Sequence, residues 1–120
     1  MLIKTRVLDK SLQTVFQAHT EISAENLIEV ARSREALVRS KGANWAADAI
    51  PVFGKRLIDL MRSQTLGDEV DNAAIQVAMA AWLYDSIYGG LDADTFVRSD
   101  LQFTMRPDGA VEYTRLPAPG

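Results

Sequence analysis

No polar face can be drawn on the segment Glu69–Tyr88. At about 100° per residue, Val70, Ala74, Val77, Ala81, Tyr84 and Tyr88 form one seam, and Ile75, Met79, Trp82, Leu83 and Ile87 form a second. A helix without a polar stripe has to be covered on two or more sides. Five alanines at 73, 74, 78, 80 and 81 let neighbouring backbones come close. Asp68, Glu69 and Asp71 oppose the positive end of the helix dipole, and Gly89-Gly90 ends the segment. Whatever this chain folds into is therefore built around a central helix over about 69–88.

The flanking segments supply its cover. Ser23 can cap a long helix, with Ile22 before it and Leu27 within it spaced as a hydrophobic staple. That helix runs to Lys41 and stops at Gly42. Asn44 is placed to cap a further helix, in which Pro51 calls for a kink or break. Beyond it, Phe53, Leu57, Ile58, Leu60 and Met61 share a stripe opposite Lys55, Arg56, Asp59 and Arg62. Upstream, Asp9 or Ser11 can cap a shorter helix to about Thr20, with Leu8, Leu12, Val15, Phe16 and His19 on one face.

Towards the C-terminus the period changes from 3.6 to 2. Leu101, Phe103 and Met105 alternate with polar residues, as do Val111 and Tyr113. Between them lies Arg106-Pro107-Asp108-Gly109, in which proline, aspartate and glycine each suit one turn position. The register predicted is Met105 opposite Val111 and Phe103 opposite Tyr113. A lone hairpin is marginal in water, so its apolar face must cover helices, pair with the alternating residues 2–8, or meet a second subunit. The expected fold is α+β and mainly helical: four principal helices around the central one and a hairpin over about 100–115, with residues 2–8 available as an N-terminal strand. A single domain spans 1–120, and residues 116–120 (Leu-Pro-Ala-Pro-Gly) read as a loose tail.

Composition removes many function classes. With no cysteine, thiolate metal sites, iron–sulfur clusters and cysteine nucleophiles are excluded. Lys4 and Arg6 interrupt any apolar leader at the N-terminus. The longest charge-free run, Asn72–Tyr84, has 13 residues, short of the ~18 that span a bilayer. A cytoplasmic protein without a membrane role is the expectation. Nine arginines against four lysines, with 16 alanines, suggest a GC-rich bacterial source. Residues 1–62 carry ten basic groups against seven acids, whereas residues 63–120 carry three against nine. The net charge of −3 argues against non-specific affinity for nucleic acid.

The chemistry is sparse. His19 is the single histidine, so any histidine relay or histidine metal site would have to be built on it; an imidazole bonded within an apolar helix face is the plainer reading. No nucleophile elbow, Walker loop, dinucleotide-binding turn or zinc-protease helix is present. Asp92, Asp94 and Asp100 mimic a calcium loop, but Phe96 and Arg98 occupy positions such a loop needs for ligands and its glycine is missing. No enzyme, cofactor or metal is expected from this pattern. A basic region over 32–62 offers a nucleic-acid-binding alternative, weakened by Glu25, Glu29 and Glu35 on the same helix and by Pro51 in the would-be recognition helix. A small-ligand protein or enzyme around His19 is the second alternative.

Arg34 sits among Val30, Ala31, Leu37 and Val38, and Asp85 among Ala78, Ala81, Trp82 and Tyr88. Charges in apolar stripes need partners or an interface, and Arg34–Asp85 is the pair these positions predict. Trp45 would lie on a charged side, where tryptophan often anchors a contact. Tyr84 and Tyr88 share a seam with small residues. Two apolar seams and a hairpin exceed what one small core absorbs. The expected function is a small non-enzymatic, protein-binding regulator (inhibitor, anti-activator or adaptor) that covers a partner surface, as a homodimer. Trp45, Arg34, Tyr84, Tyr88, Phe103 and Tyr113 are its candidate interface residues.

Overall fold

Residues 2–8 and 14–21 alternate in exposure because they are paired strands, β1 (Leu2–Leu8) and β2 (Thr14–Glu21). The computed structural model describes residues 1–117, with every side chain among them except those of Val38 and Ala43. After the hairpin come α1 (Ala24–Arg62), α2 (Asp68–Gly89), α3 (Ala93–Val97), β3 (Asp100–Met105) and β4 (Val111–Leu116). The fold is α+β and mainly helical, with a four-stranded mixed sheet.

The helix expected up to Thr20 is instead β2. Asp9 does accept from backbone N–H groups, but from Ser11 (2.8 Å) and Gln13 (2.9 Å), closing a turn in which Leu12 adopts φ 62°. An aspartate that satisfies N–H groups two and four residues on serves a turn as well as a helix start. In the strand, Phe16, Ala18 and Thr20 are half-buried, while Val15, Gln17 and His19 are exposed. The face that a helix would have shared is thus split between two sides of a sheet.

The sheet order is β2-β1-β3-β4, with β1 parallel to β3 and the outer pairs antiparallel. Parallel pairing requires a long crossover, and both principal helices lie within it. The C-terminal hairpin has the expected register, Met105 opposite Val111 and Phe103 opposite Tyr113. Its turn closes through Gly109 N to Arg106 O at 2.9 Å, with Gly109 at φ 88°. Leu116 belongs to β4 rather than to a tail, and Pro117 is exposed; the rest of the expected loose tail, 118–120, lies outside the described residues.

One sheet face carries Ile3, Thr5, Val7, Leu101, Phe103 and Met105, all buried. The helices cover it: Thr5 Oγ1 reaches Met61 Sδ at 3.4 Å, and Tyr113 on β4 bonds to Asp85 on α2. The opposite face shows Lys4, Arg6, Gln17, His19, Gln102 and Thr104, tied by Arg6 Nε donating to Thr104 Oγ1 at 3.0 Å.

The break in α1 falls at Gly42 (φ 78°, ψ 174°), and the helix continues through Pro51 without a non-helical residue. The two segments expected at 23–41 and 45–62 are therefore arms of one kinked helix, 24–41 and 43–62. Left-handed φ favours glycine strongly, so the chain bends where that residue permits. At Pro51 the missing N–H costs one helical bond, which the burial of Ala46, Ala49, Ile50, Leu57 and Ile58 around it outweighs. Asn44 caps nothing visible; its Oδ1 accepts from the Tyr88 hydroxyl at 2.8 Å.

α2 buries nine residues, among them Ala73, Ala74, Ala78, Ala80 and Ala81, as its lack of a polar side predicts. The second arm of α1 reaches the sheet through Gly54. A Cβ there would stand 3.0 Å from Val111 Cγ1 and 3.7 Å from the Phe103 ring. Gly54→Val is expected to cost about 1–3 kcal/mol by overpacking. Adding Val111→Ala should recover part of that loss in a denaturant double-mutant cycle; simple additivity would show that the two positions do not touch.

Candidate interaction surface

The first arm of α1 is anchored at its start and bare at its end. Ser23 Oγ accepts from Asn26 N at 3.3 Å, and Ile22 and Leu27 are both buried, as the staple spacing requires. From Arg32 to Leu37 every residue is exposed, and so are Arg39, Ser40 and Lys41. A Glu35–Arg39 pair at 2.9 Å holds this stretch helical from outside, worth about 0.3–0.5 kcal/mol for such spacing. Leu37, at 60% exposure, has no cover from its own fold.

The arm ends in an aromatic elbow. Lys41 Nζ lies 5.6 Å from the centre of the Trp45 ring, a cation–π distance. Trp45 meets Phe53 edge-on at 6.3 Å. Asn44 receives the Tyr88 hydroxyl, and Tyr88 packs on Tyr84 with ring centres 4.9 Å apart. Tyr88 and Ile87 remain exposed, at 57% and 38%. Trp45, Tyr84 and Tyr88, distant in sequence, are thus brought to one end of the helical layer.

The other expected interface residues lie elsewhere. Arg34 is exposed on the arm and makes no ion pair among the described residues. Its expected partner Asp85 accepts from the Tyr113 hydroxyl at 2.6 Å and stands 3.8 Å from Arg115 Nε. That correction has a simple cause: Asp85 looks towards β4, whereas the arm carrying Arg34 projects away from the core. Burial raises the Asp85 carboxyl above the ordinary carboxylate range, against the opposing pull of Tyr113 and Arg115. The Tyr113 phenol is raised as well, first by burial and then by the adjacent carboxylate. Phe103 has no exposed surface to offer a partner; it is stacked on Tyr113 at 5.3 Å in the core. The hairpin covers its own helices.

Two concavities flank these elements. Under the first arm, a cleft of about 210 Å³ is walled by Leu27, Ala31, Trp82, Phe96 and Val97, with Arg32 and Glu35 at its mouth. Trp82 and Phe96 pack there at 5.2 Å. A wider groove of about 590 Å³ runs beside β2 and includes Ala18, Thr20, Met61 and Leu66. His19 borders that groove but is exposed, its Nε2 3.4 Å from Gln17 Nε2; it is not the half-buried, carbonyl-bonded imidazole that a helical setting suggested. Leu66, 88% exposed in the α1–α2 connection, lies outside any helical or strand period, so periodicity does not single it out.

No helix is long and apolar enough to cross a membrane among the described residues. Compared with known protein families, with curated proteins and with solved structures, the chain matches none.

Proposed function

We propose that this chain is a small, non-enzymatic, cytoplasmic regulator that acts by binding another protein as a homodimer. The observation that carries the reading is the bare first arm of α1 joined to the aromatic elbow. An ordered helix with exposed Leu37, running into Trp45, Tyr84 and Tyr88, has the make-up of a contact surface. Tryptophan and tyrosine are frequent binding anchors, and an exposed apolar residue on a helix face is what helix-in-groove recognition inserts. The mechanism is steric: the arm lies along a surface that the partner needs for another contact.

The test is capture from the source cell with wild type and with Leu37→Glu. Because Leu37 is exposed, the substitution should change stability by no more than about 0.5 kcal/mol. A specific protein retained by wild type and lost by Leu37→Glu, with melting curves unchanged, is the expected result. Retention on DNA that falls steeply with salt, or equal capture by both proteins, would overturn the reading.

A further inference from the structure

We infer that β2 is a self-association edge: two copies join antiparallel through Thr14–Glu21, with Ala18 facing Ala18 at the twofold axis. The inference rests on the homodimer in the proposed function and names its surface.

The free hydrogen-bonding groups of β2 can be located from its pairing with β1. Met1 and Ile22 exchange two bonds, Met1 N to Ile22 O at 2.8 Å and Ile22 N to Met1 O at 3.0 Å. Alternation in an antiparallel ladder then makes Ile3–Thr20, Thr5–Ala18 and Val7–Phe16 the bonded pairs. The N–H and C=O groups of Gln17, His19 and Glu21 therefore point outwards, along the open edge of the sheet, whereas Val15 is the extra residue at which the pairing with β1 shifts register.

Natural edges are usually blunted by lysine, proline, inward charges or bulges. β4, the other edge, carries Glu112 and Arg115 and is followed by Pro117. β2, in contrast, has no lysine, arginine or proline, its single charge, Glu21, is at its end, and its one bulge, at Val15, leaves Phe16–Glu21 regular. Three exposed apolar side chains stand at this rim: Leu12 (64%), Val15 (61%) and Leu66 (88%).

A second copy of the same strand fits this edge in one register that pairs its central outward groups, those of Gln17 and His19. Gln17 pairs with the other copy's His19, twice by symmetry, and the bulged Val15 of each copy falls beside the other's Glu21. With two bonds per bonded pair, that makes about four bonds between copies. No like charges stand opposite one another. Ala18 meets its own copy at a non-bonded position, where backbones are closest and a small side chain is needed. On the helix side, Phe16 of one copy falls opposite Thr20 of the other, at the mouth of the groove walled by Met61 and Leu66. Charge agrees too. The pairing carries the exposed Lys10 of one turn towards the exposed Glu21 and Glu25 of the other copy.

Ala18→Cys gives a chain with a single thiol. Opposed Cα atoms at a non-bonded pair are about 4.5 Å apart, within disulfide reach. Mild oxidation should link most of this variant, but not Thr114→Cys on the far edge. Val15→Glu brings a carboxylate beside the other copy's Glu21 twice and should weaken dimerisation by about threefold to tenfold, whereas Val15→Lys should preserve it. Gln17→Pro loses only an outward N–H, so it should fold and run as a monomer by light scattering. Wild type monomeric at 100 µM (roughly a 10⁻⁴ M limit on the dissociation constant) would sink both the edge and the homodimer. A dimer untouched by Gln17→Pro and Val15→Glu, without Ala18→Cys linkage, but lost in Leu37→Glu, would overturn the edge alone and leave the homodimer standing.

Discussion

Phe103→Ala is expected to cost about 3–5 kcal/mol of folding stability. Phe103 is wholly buried at the centre of β3. One side of its ring is stacked on Tyr113 at 5.3 Å, and the second arm of α1 comes down on it at Gly54. Truncation removes the contact on both sides. The sheet cannot shift to close the gap, because β3 is hydrogen-bonded to β1 and to β4. A domain of this size is stable by only about 5–15 kcal/mol, so the loss is a large share of the total. Urea unfolding should show a lower midpoint with an unchanged slope, and the melting temperature should fall by roughly 12–20 °C. A loss below about 1 kcal/mol, the level of an ordinary surface change, would mean that the helices do not lie on this face of the sheet.

Tyr113→Phe is expected to cost about 1.5–3 kcal/mol at neutral pH, the range for a hydrogen bond to a charged group. Its hydroxyl donates at 2.6 Å to Asp85, with Arg115 the remaining nearby cation at 3.8 Å. Burial already holds the Asp85 carboxyl above its ordinary range, and losing the donor should push it higher. The pH dependence follows from that direction. A carboxyl raised in the folded state contributes stability that is complete below the unfolded value, about 3.9, and is lost as pH rises through the folded value. On acidification from pH 7 to about pH 4, wild type should therefore gain stability relative to Asp85→Asn, which cannot ionise but still accepts from Tyr113. The opposite trend would show that Tyr113 and Arg115 outweigh burial.

Asp85 also illustrates how far charge can be read from position. A carboxylate among Ala78, Ala81, Trp82 and Tyr88 needs a partner, and it has one. Arg34, with comparably apolar neighbours in sequence, needs none, because its arm leaves the core before reaching that residue. The two positions look equivalent on a helical wheel and differ only in whether another element lies across from them. The elbow was half legible for the same reason. Trp45, Tyr84 and Tyr88 could be singled out as amphipathic side chains, but their meeting through Lys41 and Asn44 depends on where Gly42 turns the helix.

Local chemistry was sufficient wherever a residue's own geometry left few options. The largely apolar span of α2, the staple at Ile22 and Leu27, the Pro107-Asp108-Gly109 turn and the register of the hairpin all follow from backbone preferences and periodicity. Long-range pairing settled the rest. Thr14–Glu21 is compatible with a short helix or a strand, and became β2 because β1 lay ready to pair with it along seven positions. Pro51 stayed within a helix because the apolar residues around it are held between α2 and the sheet. A short segment's intrinsic preference amounts to a few tenths of a kcal/mol per residue, whereas a neighbouring strand or a buried face contributes several-fold more. Where those two disagree, the neighbour prevails.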